Sequence, residues 1–536
     1  MNFYWESTVE NAWIMLSSFL YPVLFAAFLA LLLANLKGLR KRFSGIKKVT
    51  WAILFLIFFA ALLLRLFFTT SGVDFRCATW ESVNAGRYIA ETGVVKICNG
   101  GVLHDCMYEK PLAHPAGYAY SLAAVFLLSG YSLWAATIVQ CIVSSLTVLT
   151  VFLLAYVMTR DEGASLLSST FLAVLPIHLM QSMRIEIGIA TFSVFFEALA
   201  LMFFFHALDG RHGRSIYLAV LGLAMALSFN MQNVMLYPIA LLFYAARRGI
   251  PGPTKLLKKI RKNMKFLLVG LASAIVPFFV FIFYWLLERT RVVMLFSVQN
   301  FIKDAPKLLS LFEHYYMPYL LLFVISIPVL LWRADTRRLS LALLFWFSSF
   351  TVMYMFFENM PNQRYMMSTV IPFVLISGFG VSGIVGLLVK KRVRYLVCLA
   401  ASLVLIASSP MFMEPDWWGV AYPMQDLVEV IGGLEEDAIV ILPSINTIWG
   451  VQFYFPDRTF YGFYGIKDVR PGELAYLIFT KRCDYPPLDE LCDYVFRGRH
   501  PVLEKSYVKV YELGVMTTEQ LEELQRVLGE YDRKNA

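Results

Sequence analysis

Long apolar runs separated by short gaps rich in Lys and Arg constrain this chain more than any other feature. The runs fall near 12–35, 50–69, 134–158, 163–180, 187–208, 215–230, 231–246, 266–288, 315–332, 339–357, 366–389 and 394–411. The longer ones can cross a ~30 Å hydrocarbon core as a helix. A water-soluble core could not hide so much apolar surface. The charged fraction, 16%, is also well under the roughly one quarter usual for soluble domains. The sequence therefore predicts an α-helical polytopic membrane protein of about twelve spans, followed by a small α/β domain. The net charge of +9 comes from Lys and Arg clustered in the gaps, which marks topology and excludes a nucleic-acid partner. The start, "MNFYWESTVEN", carries two acids and no base, the reverse of a signal peptide's leading region, so no cleavable signal is expected.

Charge also orders the runs. Four gaps, "KGLRKRFSGIKK", "RRGIPGPTKLLKKIRKNMK", "RADTRR" and "KKRVR", are strongly basic, and "DGRHGR" is mildly so. The positive-inside rule puts all five in the cytoplasm. They share one side only if the apolar segment 115–130, "PAGYAYSLAAVFLLSG", does not cross. Its sixteen residues make ~24 Å of helix, short for a span, so it reads as a juxtamembrane or re-entrant helix. Both termini then lie outside, together with a first loop at 70–133, short turns near 181–186 and 358–365, a loop at 289–314 carrying Arg289, Arg291 and Lys303, and everything after 411.

From 412 to 536 the composition changes. "DAIVILP", "TFYGFYG", "LAYLIFT" and "SYVKVYEL" read as strands, 423–434 and 487–496 as helices, and "TTEQLEELQRVLGEY" as a final amphipathic helix. This domain has no P-loop and no Gly-rich dinucleotide fingerprint. Of seven cysteines, Cys141 and Cys398 lie in apolar spans and read as core, while the outer location of the others permits the disulfides Cys98–Cys106 and Cys483–Cys492 and leaves Cys77 over.

A solute transporter should carry ionisable groups in mid-span. Here Glu197 and His206 lie within one span, and Asn230, Gln232 and Asn233 sit at a helix turn. The richer polar set is Asp74, Glu81, Arg87, His104, Asp105, Glu109, Lys110, His114, Arg184, Glu186, Glu358 and Arg364, all in outer loops or at helix ends. Such a distribution suits a reaction at the outer face on a substrate with an apolar tail and a charged head. A transporter or flippase of lipid-linked saccharide is the alternative, but no internal repeat supports it.

Four stretches, in order, carry a family resemblance: "SGVDFRCATWESVNAGRYIAETG", "YEKPLAHPAGY", "RDEGASLLSSTFLAVLPIHLMQSMRIEIGIATFSVF" and "NQRYMMSTVIPF". Together they resemble the GT-C superfamily of integral membrane glycosyltransferases, whose relatives include protein O-mannosyltransferases, lipid A aminoarabinose transferases and, more distantly, oligosaccharyltransferases. The likeness covers about 65–410. It departs from the family pattern in lacking the second Pro after Pro111 and in having an extra span at 12–35. The resemblance implies transfer of a sugar from a polyprenyl- or dolichyl-phosphate donor to a protein, lipid or glycan acceptor, with no nucleotide site. By the same resemblance Asp74 or Glu81 is the base, lying nineteen and twelve residues before Gly93, and the alignment does not choose between them. Glu186 is a second site acid and Arg184 its neighbour. Lys110, Arg364 and Arg184 supply cations for the lipid phosphate, with Glu109 beside Lys110. His104, Glu109 and His114 are candidate ligands for a divalent cation, although their spacing is not diagnostic.

Overall fold

The computed structural model describes residues 2–69, 80–98, 109–110, 115–183, 188–209, 213–249, 298–317, 319–334, 336–356, 366–408, 424–442, 445–462, 473–480, 503–505 and 508–515, with scattered positions beyond 516. The chain separates into two compact units. One comprises Met1–Thr69, Ala113–Tyr118 and Ser132–Trp418, and the other Thr70–Leu112, Ala119–Tyr131 and Gly419–Ala536.

The first unit is helical. It contains α1 (Asn2–Phe43), α2 (Lys48–Phe68), α5 (Leu133–Thr159), α6 (Glu162–Val174), α7 (Pro176–Met183), α8 (Gly188–Leu208), α9 (Gly213–Phe229), α10 (Leu236–Arg248), α11 (Val298–Tyr316), α12 (Tyr319–Trp332), α13 (Arg337–Phe356), α14 (Val370–Leu388) and α15 (Lys391–Ser408). Among the described residues five helices are long and apolar enough to cross a membrane, or six if the bent pair α6–α7 is one span. Shorter apolar stretches at Ser215–Phe229, Tyr319–Trp332 and Val393–Ala407 add to these.

Helix α2 shows why the surrounding solvent must be lipid. Leu54, Ile57, Ala61 and Arg65, at helical spacing, are buried against the protein, while Phe55, Phe59, Leu63 and Phe67 on the other face are exposed and just as apolar. An amphipathic soluble helix would turn charge outward there. The run 163–180 is not one straight helix. Pro176, lacking an N–H, opens α7, and the pair bends by 53° at Leu175. Elsewhere helices approach through small residues. A Cβ on Gly378 would collide with Ser168 of α6, and one on Gly380 with Ser326 of α12. The stretch expected as a loop at 289–314 is helical from Val298, because Leu308, Phe312 and Tyr316 recur every fourth residue on a buried face.

All five basic gaps meet at one end of this unit. Asp209, after α8, accepts from Arg42 of α1, from Arg160 at 2.9 Å and from Arg247 of α10 at 3.2 Å. Arg394 of α15 pairs with Asp161, which caps α6, and Thr50 of α2 donates to Glu162. Arg247, Arg333, Arg338 and Arg394 line one cavity. The start of α2 and the end of α5 both lie at this end, on either side of residues 70–132 in the chain. Within that interval α4 (Gly117–Ser129) has thirteen residues, ~20 Å of helix, too short to cross.

The second unit has the helices α3 (Trp80–Thr92), α4, α16 (Met424–Gly432) and α17 (Ile445–Tyr454). Its strands are β1 (Ile97–Cys98), β2 (Glu109–Lys110), β3 (Ile439–Leu442), β4 (Phe460–Gly462), β5 (Leu474–Thr480), β6 (Leu503–Lys505) and β7 (Val508–Val515). The order β4-β3-β5-β7-β6 gives a mixed sheet, parallel across β4, β3 and β5 and antiparallel beyond. Strand β3, "IVIL", is buried at every position, as expected for the central parallel strand with both faces covered. The four strands expected from the sequence are β3, β4, β5 and β7; the expected helix at 487–496 lies outside the described residues.

Removing the shared acceptor of the arginine cluster should loosen the helix ends. Asp209→Ala is expected to lower unfolding stability in detergent by about 1–3 kcal/mol, between exposed and buried ion-pair values. Thermal melts of the two proteins at equal salt would measure it, and an unchanged melt would contradict the role given to Asp209.

Candidate active site

Most of the residues expected in the site, Asp74, His104, Asp105, His114, Arg184, Glu186, Glu358 and Arg364, lie outside the described residues. Their flanking helix ends do not, and in the first unit several of these ends are tied together. Thr69, ending α2, contacts Cys141 of α5 at 3.5 Å, and the Cys141 thiol reaches the Ser182 carbonyl of α7 at 3.6 Å. Tyr118 donates to Gln140 of α5 at 3.0 Å, and Gln140 donates to the Gln181 carbonyl at 3.1 Å. Thr191 of α8 donates to the same carbonyl at 3.1 Å. Gly188 opens α8 so close to Gln140 and Tyr118 that any Cβ would overlap both. The end of α2, Tyr118, the end of α7 and the start of α8 therefore gather at one patch on α5, opposite the arginine end.

Beneath that patch lies a cation that the sequence reading did not single out. Arg65 is fully buried. It donates through Nε to Ser144 at 2.7 Å and through Nη1 to the Ala61 and Ala173 carbonyls at 2.8 and 3.4 Å, and its Nη2 meets His178 Nδ1 at 2.8 Å. No carboxylate joins it among the described residues, so hydrogen bonds to dipoles carry the cost of its burial. The bend at Pro176 brings the Ala173 carbonyl and His178, from either side of the break, to the same guanidinium. The signal available in the sequence was an arginine four residues before the end of an apolar run, which equally describes a snorkelling residue. The Gln181 side-chain amide, also buried, finds no partner among the described residues.

In mid-bundle, Glu197 accepts from Ser193 at 2.8 Å, and Asn233, in the one-turn helix Met231–Met235, donates to Ser193 at 2.8 Å and to the Ala226 carbonyl at 2.7 Å. The break between α9 and α10 is thus satisfied by side chains, as irregular backbone inside a membrane requires.

In the second unit Glu81 stands on the first turn of α3 and is 3% exposed. That removes the solvated-helix reading of Glu81, and the helix N-terminus favours a carboxylate at this position. Strand β2 pairs antiparallel with β1, setting Lys110 opposite Ile97 and Glu109 opposite Cys98. Asn84 of α3 accepts from the Cys98 amide at 3.5 Å and donates to Gln452 of α17 at 3.3 Å. Cys98 is disulfide-bonded; the other four cysteines outside the spans lie outside the described residues. Arg87, one turn past Asn84, pairs with Glu91 at 2.8 Å, lies 4.3 Å from the Tyr131 ring centre and donates to the Phe453 carbonyl of α17. The helix bearing Glu81, the pair of strands bearing Glu109 and Lys110, and α17 are thus cross-linked in one unit. Among the described residues no three His, Cys, Asp or Glu side chains gather as a metal site; His104 and His114 are not among them.

Residues 113–285, about a third of the chain, match the family model described as dolichyl-phosphate-mannose-protein mannosyltransferase. No curated protein matches the sequence. In fold the chain is similar to ArnT from Cupriavidus metallidurans bound to undecaprenyl phosphate, with a TM-score of 0.58 at 10% identity over 87% of this chain and 97% of that one. It is similar to the archaeal oligosaccharyltransferase AglB from Archaeoglobus fulgidus, in complex with an inhibitory peptide and a dolichol-phosphate, with a TM-score of 0.56 at 11% identity over 78% of this chain and 64% of that one. A third similarity is to the arabinofuranosyltransferase AftD from Mycobacteria, with a TM-score of 0.54 at 13% identity over 89% and 42% of the two chains. At these identities the likeness is one of fold, and it is the fold that the motifs implied. The chain has a GT-C-like fold, with several helices long and apolar enough to cross a membrane. The sequence match to the mannosyltransferase family is confined to residues 113–285.

Two substitutions probe this architecture. Arg65→Ala leaves Ser144 and His178 without their partner and should cost about 2–5 kcal/mol in unfolding stability. Arg65→Lys, which keeps the charge but not the planar fan of donors, should recover less than half of that in a detergent melt. Arg87→Ala should free α17 from α3, giving faster cleavage within the second unit by limited proteolysis while the melt of the helical unit stays within experimental error.

Proposed function

We propose that the protein transfers a sugar from a polyprenyl- or dolichyl-phosphate carrier to a protein, lipid or glycan acceptor at the outer membrane face, by base-assisted direct displacement. The observation that carries this reading is the convergence of Thr69, Tyr118, Ser182 and Gly188 on Gln140 and Cys141. It bounds, from one patch, three segments that the family pattern marks as functional. The arginine-rich end lies opposite, and the positive-inside rule assigns it to the cytoplasm. The Cys98 disulfide supports an oxidising compartment for the other side. Counting the shorter helices and the run at 266–288, this reading has about twelve spans, both termini outside and an extracytoplasmic C-terminal domain.

In this scheme Asp74 or Glu81 takes the proton from the acceptor hydroxyl or amide. The acceptor oxygen or nitrogen attacks the anomeric carbon, and the bond to the carrier's phosphate oxygen breaks with its electron pair. Lys110 and Arg364 stabilise the charge gathering on the departing phosphate, Lys110 as a point charge held by Glu109 and Arg364 as a two-pronged donor. Glu186, beside Arg184, orients the acceptor or a divalent cation; if a cation takes part, His104, Glu109 and His114 are its candidate ligands.

The test uses purified protein with radiolabelled lipid-phosphate sugars and membrane extract as acceptor. Whichever of Asp74→Asn and Glu81→Gln removes the base should lower transfer by ~10²–10⁴-fold, the usual worth of general-base catalysis. Lys110→Ala and Arg364→Ala should weaken use of the donor. If neither carboxylate variant slows transfer, the base assignment is wrong; if wild-type protein transfers no sugar from any lipid-phosphate donor, the reaction is.

A further inference from the structure

The cavity at the arginine end of the helical unit is outside everything the transfer reaction uses. It measures about 400 Å³ and lies among the ends of α5, α6, α10, α12, α13, α14 and α15. Arg247, Arg333, Arg338 and Arg394 line it, with Asp161 as the only acid among the lining residues. The volume is that of a small-molecule site. The lining thus carries four guanidinium groups and one carboxylate.

Two of these cations are fixed rather than trailing in solvent. Arg394 is held by Asp161 and by Ser382 at 2.7 Å, and Arg247 by Asp209 at 3.2 Å and the Met158 carbonyl at 3.2 Å. Thr159 and Thr336 add hydroxyls to the lining, and Phe379, Leu339 and Ala164 add an apolar portion. Exposed apolar surface adjoins it. Trp332, next to Arg333, is 78% exposed, and Leu387 and Leu388 at the end of α14 are 63% and 78% exposed. Tryptophan at a helix end beside basic residues marks the level of lipid headgroups. Basic pockets between membrane helices at that level recognise anionic headgroups, and planar guanidinium groups suit phosphate.

We propose that this cavity binds a phosphate-bearing anion presented by a lipid headgroup, at the membrane surface opposite the proposed transfer site. The lipid's phosphate meets Arg333 and Arg338 beside the pre-positioned Arg247 and Arg394, and its apolar part leaves along Trp332. The inference does not depend on which sugar is transferred or which residue is the base.

The experiment compares full-length protein with Arg333→Ala/Arg338→Ala, two substitutions on the rim, and with Arg337→Ala as a control, an exposed neighbour that does not line the cavity. Each protein is reconstituted in nanodiscs of phosphatidylcholine alone or with added phosphatidylglycerol, and retained lipid is counted by native mass spectrometry after mild extraction. Wild type and Arg337→Ala should retain phosphatidylglycerol over phosphatidylcholine, and the double variant should lose that preference by at least about tenfold, roughly 1.4 kcal/mol. Equal melts of all three proteins in phosphatidylcholine alone would show that the double variant is folded. No preference for phosphatidylglycerol in wild type, or the same preference in the double variant, overturns the proposal. Titration with inorganic phosphate separates the sources: if it stabilises wild type as strongly as phosphatidylglycerol does, the ligand is a free anion and the lipid assignment falls.

Discussion

Asp209 accepts hydrogen bonds from arginines that arrive on α1, α5 and α10, and much of the helical unit's order depends on that convergence. Apolar helices in lipid gain little from burying one greasy face rather than another. What selects one arrangement is therefore where the few strongly polar groups can be satisfied. At the arginine end the answer is ion pairing near water, with Asp209 and Asp161 each drawing cations from separate helices. This fixes the parity of the chain as well as its packing. Once the basic gaps share an end, the end of α2 meets α5 toward the other.

Deeper in the bundle no water is present to correct an error, and the polar groups are instead arranged as closed local sets. Arg65 is surrounded by carbonyls, Ser144 and His178; Asn233 bridges the α9–α10 break to Ser193 and Glu197. Both sets sit where a helix is interrupted, one at the α6–α7 bend and one at the turn before α10. The interruptions expose backbone groups, and the side chains answer them. The close approach of Gly188 to Tyr118 and Gln140 serves the same end, because it leaves room for one side-chain amide on α5 to join Tyr118 of α4 to α7.

Much of this was legible from residue patterns. Apolar length located the helices, the segment 115–130 gave one short helix, and the tail's apolar strings became β3, β4, β5 and β7. Other features were not legible, for identifiable reasons. Hydropathy gives Pro176 no more weight than its neighbours, so the 53° bend appeared as one continuous run. Arg65 carries the same letter whether it snorkels to the surface or is wholly enclosed. Helix α17 follows strand β3 without a periodicity strong enough to announce it. Of the site itself, the motifs named candidate residues and their order, whereas the patch that gathers the ends of those segments required tertiary contacts between α2, α5, α7 and α8.

The bond from Arg87 to the Phe453 carbonyl joins positions 366 residues apart, and the one from Asn84 to Gln452 spans 368. A ribosome delivers these partners at opposite ends of synthesis. The segment carrying Glu81, Glu109 and Lys110 is therefore made long before its packing partner exists. Completion of the second unit is a late event in biogenesis, and a chain released before α17 would hold a finished helical bundle and an unfinished second unit.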